Sequence, residues 1–232
     1  WHLTLMVAAL LLWPTFCGRE MLTKIGRHTV KHGDLMSGIH DLMGADKAQF
    51  IYTDPPWGQG TLSYWQTKNV KDNGGPGADL VVPLRHEHYT FLNGLFDTVK
   101  TYSDGPVIVE YGESWRDDII ESAKYSGLRH NLTTTSYYRS GSRLRPLDIH
   151  FFNVTEDINW HDVQVACQAL RGQELVTTLF DVFCAEGGTV LDPMCGMGFT
   201  AQATINKGLK FRGNELNEKR LGKTIARLQR NP

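Results

Sequence analysis

Cysteine is scarce in this chain, with four residues in 232, and the four are not placed to act together. Cys17, Cys167, Cys184 and Cys195 form no CxxC pair and no Cys/His cluster at zinc-ligand spacing. That argues against a metal site and against a disulfide-stapled secreted fold, and it fits a reducing, cytoplasmic compartment. Charge of one sign is lacking too. A formal net charge of -1 gives no broad basic field, so contact with a polyanion would need a local patch. A membrane-length apolar run is also missing: "LTLMVAALLLW", residues 3–13, is too short to span a bilayer and has no basic start of a secretory signal. Ordinary domain sequence begins at Met21, so residues 1–20 are read as a leader of uncertain origin, outside the fold. No membrane partner is expected.

What is present is enough for one well-buried core: 41% hydrophobic and 21% charged residues over this length imply a single domain, 21–232. Strand-like and helix-like segments alternate from Met21 onward. "RHTVKHGDL" reads as a strand ending at Asp34, "SGIHDLM" as a helix fragment and "KAQFIYTD" as a buried strand ending at Asp54. "HEHYTFLNGLFDTVKTY" has helical spacing with Tyr89, Leu92, Leu95, Phe96 and Val99 on one side; "GPVIVEYG" is a strand, and "WRDDIIESAKYSGL" a helix ended by Gly127. "TTTSYYRSGSRLRPLDIHFFN" reads as two strands joined by a Ser-Gly turn. The rest runs helix ("GQELVTTLFDVFCAEGG"), strand ("TVLD"), helix ("GFTAQATINKG"), strand ("KFRGNE"), helix ("NEKRLGKTIARLQR"). The pattern predicts an α/β fold: a Rossmann-like, doubly wound, mostly parallel sheet with an antiparallel hairpin in its C-terminal half. Ligands in such sheets sit beyond the carboxyl ends of the strands.

Two turns at such ends stand out. In "FIYTDPPWGQG", residues 50–60, Pro55 and Pro56 prevent the strand from continuing, leaving Asp54 and Trp57 at its mouth. In "TVLDPMCGMGFTAQA", residues 189–203, Asp192 ends a strand and Gly196 and Gly198 open the next helix, where backbone can approach a ligand and helical N–H groups are unpaired. No Gly-Lys-Ser/Thr follows, so this is not a phosphate-binding P-loop, and the third glycine of a dinucleotide fingerprint is missing. Glu215, just past the following strand, suits the two hydroxyls of a ribose. A nucleoside without a pyrophosphate is the ligand these features describe. Each also has a plainer reading: Asp54 as a turn cap, Trp57 as a core aromatic, Glu215 as a carboxylate at a helix N-terminus, Asp34 as strand-end turn chemistry and Cys195 as packing.

"DPMCGMG" resembles the S-adenosylmethionine loop of amino-methyltransferases, and "DPPW" resembles their catalytic motif, Asp/Asn/Ser-Pro-Pro-Tyr/Phe/Trp. The catalytic-type motif comes first in the chain, which resembles the permuted, beta-type order of DNA adenine-N6 and cytosine-N4 methyltransferases. "HGDL" matches as well, with Asp34 where that family contacts the cofactor's adenine. The likeness spans nearly everything from about Gly26 onward. It implies a methyltransferase-type fold that binds S-adenosyl-L-methionine through Asp34, Asp192, Pro193, Cys195, Gly196, Gly198 and Glu215. It implies catalysis by Asp54, Pro55, Pro56 and Trp57 on DNA, with the target adenine flipped out of the duplex, and so a cytoplasmic or nucleoid-associated enzyme. Aspartate as first residue of the motif favours adenine N6 over cytosine N4.

Two regions bear on the acceptor. "YYRSGSRLRP" places Arg139, Arg143 and Arg145 with two tyrosines on the hairpin, suited to backbone phosphate and a base, or simply to a solvated tip. Gly58 to Pro83 is glycine-rich without clear periodicity and reads as a loop, a substrate gate or an insertion. Only a short connection separates "HFFN" from "GQELV", where a target-recognition domain often sits. RNA, a free nucleotide or cytosine therefore stay open as acceptors, as do a homodimer, a specificity partner, and a catalytically silent nucleic-acid-binding subunit.

Overall fold

The computed structural model describes residues 20–72 and 85–230. The expected leader, apart from Glu20, and residues 73–84 of the glycine-rich stretch lie outside the described residues. Eight strands form one sheet: β1 (Met21–Ile25), β2 (His28–His32), β3 (Phe50–Thr53), β4 (Val107–Tyr111), β5 (His130–Ser140), β6 (Arg143–Phe152), β7 (Thr189–Asp192) and β8 (Lys210–Glu215). Their order is β1-β2-β8-β7-β3-β4-β6-β5. β2, β8, β7, β3 and β4 run parallel, while β1 pairs antiparallel with β2 and β6 lies antiparallel between β4 and β5. This is the expected mixed, doubly wound sheet. The chain winds outward in opposite directions from β3 and β7, so the topological switch falls between them.

Helices cover both faces: α1 (His40–Met43), α2 (Gly58–Asp72), α3 (Arg85–Tyr102) and α4 (Arg116–Tyr125) on one, and α5 (Trp160–Ala169), α6 (Gly172–Phe183), α7 (Phe199–Asn206) and α8 (Glu218–Arg230) on the other. Two cores follow from the two-residue alternation of the strands. Ile51, Val107, Val109 and Tyr111 face α1 to α4, where Phe91, Leu92, Leu95, Phe96 and Val99 of α3 meet Ile119 and Ala123 of α4. Phe50, Tyr52 and Ile108 face Leu175, Val176, Leu179 and Phe180 of α6 and Leu221 and Leu228 of α8. Each such buried Val, Leu, Ile or Phe side chain contributes about 1.5–3 kcal/mol.

Four details differ from the sequence expectation. The Gly58–Pro83 loop reading is corrected for its first half, which is helix α2. An additional edge strand, β1, turns into β2 through Gly26 at φ 53, and α5 fills the short connection after β6. On α3 the buried face includes His88 while Tyr89 stays half-buried.

Candidate active site

β3 stops at Thr53 because Pro55 and Pro56 have no N–H to give the ladder. The next four residues cross the carboxyl end of the sheet until Gly58, at φ 66, starts α2. Within that crossing Trp57 Nε1 donates to Asp54 Oδ1 at 2.8 Å, which fixes the carboxylate and leaves its second oxygen uncommitted to Trp57. The Trp57 ring meets Tyr138 of β5 edge-on, centroids 4.9 Å apart and planes at 79°. A Cβ on Gly112, just past β4, would sit 3.3 Å from Trp57 Cβ, a tight approach that the glycine relieves.

On the other side of the switch, Asp192 ends β7 and accepts from the Met194 amide at 3.1 Å. Gly196 and Gly198 follow at φ 52 and 81, left-handed backbone that favours glycine. Glu215 ends β8 and joins this loop to its own turn. Its Oε2 accepts from Gly196 N at 2.8 Å and its Oε1 from Asn217 N at 2.7 Å. Beyond β2, Asp34 Oδ1 accepts from Met36 N at 3.0 Å and caps the short 3-10 turn Leu35–Ser37.

These strand ends surround one cavity of about 400 Å³. Of the residues singled out in the sequence, Asp34, Asp54, Pro55, Pro56, Trp57, Pro193 and Glu215 line it. Asp192, Cys195, Gly196 and Gly198 do not line it but build the loop behind it. Cys195 is buried in the core, and burial pushes its thiol well above the ordinary range. The three hairpin arginines lie on exposed strand ends outside the cavity. Pairing sorts them: Tyr138 is opposite Arg145 and Ser140 is opposite Arg143, so both of those arginines share Tyr138's face, whereas Arg139 alternates to the other.

Other lining residues were marked only loosely in the sequence or not at all. Tyr138 was one of two tyrosines in a basic stretch, and Asn214 sits beside Glu215 with its Oδ1 buried and unpaired. Arg220, from the first turns of α8, is the one Lys or Arg among the described residues that line the cavity. Its charge draws down the proton affinity of both Asp54 and Glu215.

Burial dominates the electrostatics. It raises Asp54 to about 6, against the pull of Trp57 and Arg220, even though the side chain opens onto the cavity. It raises Asp192 to about 7. Glu110 of β4 accepts from the Tyr52 hydroxyl and is raised to about 8 by burial first and by the Asp54 charge second. Among the described residues no group of three or more His, Cys, Asp or Glu side chains is arranged for a metal ion, and no helix is long and apolar enough to cross a membrane.

No family model and no curated protein sequence matches this chain. Solved structures do. M1.HpyAVI in complex with SAM superposes with a TM-score of 0.59 at 13% identity, over 85% of this chain and 97% of that one. A Thermus thermophilus protein, inferred to be a DNA modification methylase and complexed with S-adenosyl-L-methionine, gives 0.59 at 16% identity, over 86% and 92%. The cytosine-N4-specific PvuII DNA methyltransferase gives 0.61 at 10% identity, over 89% and 90%. The chain has the fold of these methyltransferases. At such identities the likeness is one of architecture, and the chemistry lies with the side chains in the cavity.

Proposed function

We propose that this protein is an S-adenosyl-L-methionine-dependent DNA methyltransferase that transfers methyl to the exocyclic N6 amine of adenine. The observation that carries the reading is that Asp54-Pro55-Pro56-Trp57 and Glu215 open into one cavity across the topological switch. Two structures of this fold hold S-adenosyl-L-methionine, and the residues here fit the same group. Glu215 is held by two backbone amides, which leaves one lone-pair direction on each oxygen for a ribose hydroxyl. Leu35 and Pro193 give apolar walls, and Asp34 lies at that end for an adenine amine. When bound, the cofactor supplies a methyl group on a sulfonium as electrophile.

The adenine amine is a poor nucleophile because its lone pair is delocalised into the ring. Asp54 and the Pro55 carbonyl accept its two hydrogens and draw the nitrogen toward tetrahedral geometry, so that the lone pair can face the methyl. The proton lost on transfer passes to Asp54, a better base than an ordinary carboxylate because burial raises it to about 6. Trp57 and Tyr138 form the aromatic corner against which an extruded base would pack. Arg143 and Arg145 share Tyr138's face, and this reading gives them the phosphates beside that base. The adenine preference rests on the aspartate that opens the motif. A cytosine-N4 enzyme has the same fold, which makes cytosine the second reading.

Incubation with methyl-labelled S-adenosyl-L-methionine and, separately, duplex DNA, RNA and free nucleotides tests the acceptor. Label in DNA supports the proposal, and label only in RNA or nucleotide overturns its acceptor.

A further inference from the structure

The catalytic-type turn is gripped from behind by two residues that do not line the cavity. Tyr111 and His88 are both fully buried. The Tyr111 hydroxyl accepts from the backbone N–H of Gly58 at 2.9 Å and lies 2.7 Å from His88 Nε2. Gly58 is the first residue of α2, where helical N–H groups lack intrahelical partners, and it directly follows Trp57. A tyrosine hydroxyl has a single hydrogen. With the Gly58 amide donating to the oxygen, donation of that hydrogen to His88 Nε2 uses the hydroxyl fully; this tautomer puts the imidazole proton on Nδ1, which has no hydrogen-bond partner of its own among the described residues. Burial lowers the pKa of His88, with Asp118 and Arg85 exerting opposing effects, so the ring stays neutral and able to accept.

Sterics close the grip. A Cβ on Gly58 would lie 2.2 Å from the Trp115 ring, and the Trp115 ring in turn meets His88 edge-on with centroids 4.6 Å apart. Gly112 gives Trp57 its seat. The end of β4 thus holds the turn at two successive residues, by the Tyr111 hydroxyl, which accepts from Gly58 N–H, and by the missing side chain of Gly112 just past the strand.

We propose that the Tyr111–His88 pair is a positioning relay for the reaction, fixing the Gly58 amide and through it the angle at which Asp54 and Trp57 enter the cavity. The inference rests on the methyltransferase reading for its kinetic consequence, but its structural core is independent of it. A misplacement of about 1 Å in such a site can cost about a hundredfold in rate.

The variants Tyr111→Phe, His88→Ala and His88→Gln test this. Tyr111→Phe keeps the ring and removes the hydrogen bond, and His88→Gln restores an acceptor that His88→Ala lacks. The expected result is a fall in kcat of about tenfold or more for Tyr111→Phe and His88→Ala, with S-adenosyl-L-methionine affinity within about twofold and kcat largely recovered in His88→Gln. Amide hydrogen exchange at Gly58, read on folded protein, should accelerate in Tyr111→Phe while the α3 core keeps its protection. Wild-type kcat in Tyr111→Phe, or unchanged Gly58 exchange, overturns the relay. Equal losses in His88→Ala and His88→Gln overturn the role of His88 as acceptor. If wild-type protein transfers methyl to no acceptor, the proposed function fails, and the exchange measurement still decides whether Tyr111 holds Gly58.

Discussion

Asp192 is a fully enclosed acid, 3% exposed, and its replacement by asparagine gives a prediction with a definite sign. Burial raises its pKa from 3.8 to about 7, with hydrogen bonds from Thr200 and the Met194 amide pulling the other way. The folded state therefore binds this proton more tightly than the unfolded chain does. Well below pH 3.8 the acid is protonated in both states and nothing is lost; between about pH 4 and 7 the unfolded chain has released a proton that the folded state still holds, so stability falls across that window and the loss is complete once pH has risen through about 7. A tenfold change in proton affinity is worth about 1.4 kcal/mol, so the cost at pH 8 is on the order of 4 kcal/mol. Asp192→Asn removes the charge but exchanges one acceptor for a donor, which costs about 1–2 kcal/mol in a buried setting. The net expectation is a variant about 2 kcal/mol more stable at pH 8, or about 4–8 °C in Tm for a domain of this size. Thermal unfolding of both proteins from pH 4.5 to 8 checks it. The curves should converge toward pH 4.5; an offset that is the same at both ends, or a variant less stable at pH 8, would refute the reasoning.

Three further outcomes are expected. Asp54→Ala should abolish transfer with S-adenosyl-L-methionine affinity within a few-fold, whereas Glu215→Gln should weaken the cofactor, and calorimetry on folded protein separates the two. Arg143→Ala with Arg145→Ala should lower the log-log salt slope of duplex DNA binding by about 0.9 per lost phosphate contact, while Arg139→Ala, on the other face of the hairpin, should change it little. Gly58→Ala places a methyl 2.2 Å from Trp115 at φ 66, and overpacking of that kind costs about 1–3 kcal/mol; an unchanged denaturation midpoint would contradict the packing described.

Elements with a strong apolar pattern were legible in the sequence. β3, β4 and β7 are short runs buried on both faces, and α6 carries Leu175, Val176, Leu179 and Phe180 as one stripe. The elements that escaped lack such a stripe. β1 is an edge strand with most of its residues exposed or half-buried, and α5 buries only Val163 and Cys167. α2 begins with two glycines in three residues and is largely polar, so its sequence carries no helical stripe. The candidate site divides the same way. Asp54, Trp57 and Glu215 end strands inside recognisable turns, whereas Tyr138, Asn214 and Arg220 reach the cavity only because β5, β8 and α8 converge there. His88 was hidden by its neighbour: Tyr89 fits the apolar stripe by residue type, but the buried position belongs to the residue that bonds Tyr111.

The central claim is methyl transfer to a base amine by the Asp54 turn, and nucleoside analysis of the product tests it most directly. Duplex DNA incubated with S-adenosyl-L-methionine and the protein is digested to nucleosides and resolved by mass spectrometry, with Asp54→Ala as control. N6-methyldeoxyadenosine from the wild-type protein and none from the variant is the predicted result. N4-methyldeoxycytidine alone would overturn the adenine assignment, and no methylated nucleoside from folded protein shown by calorimetry to bind the cofactor would contradict methyl transfer to DNA.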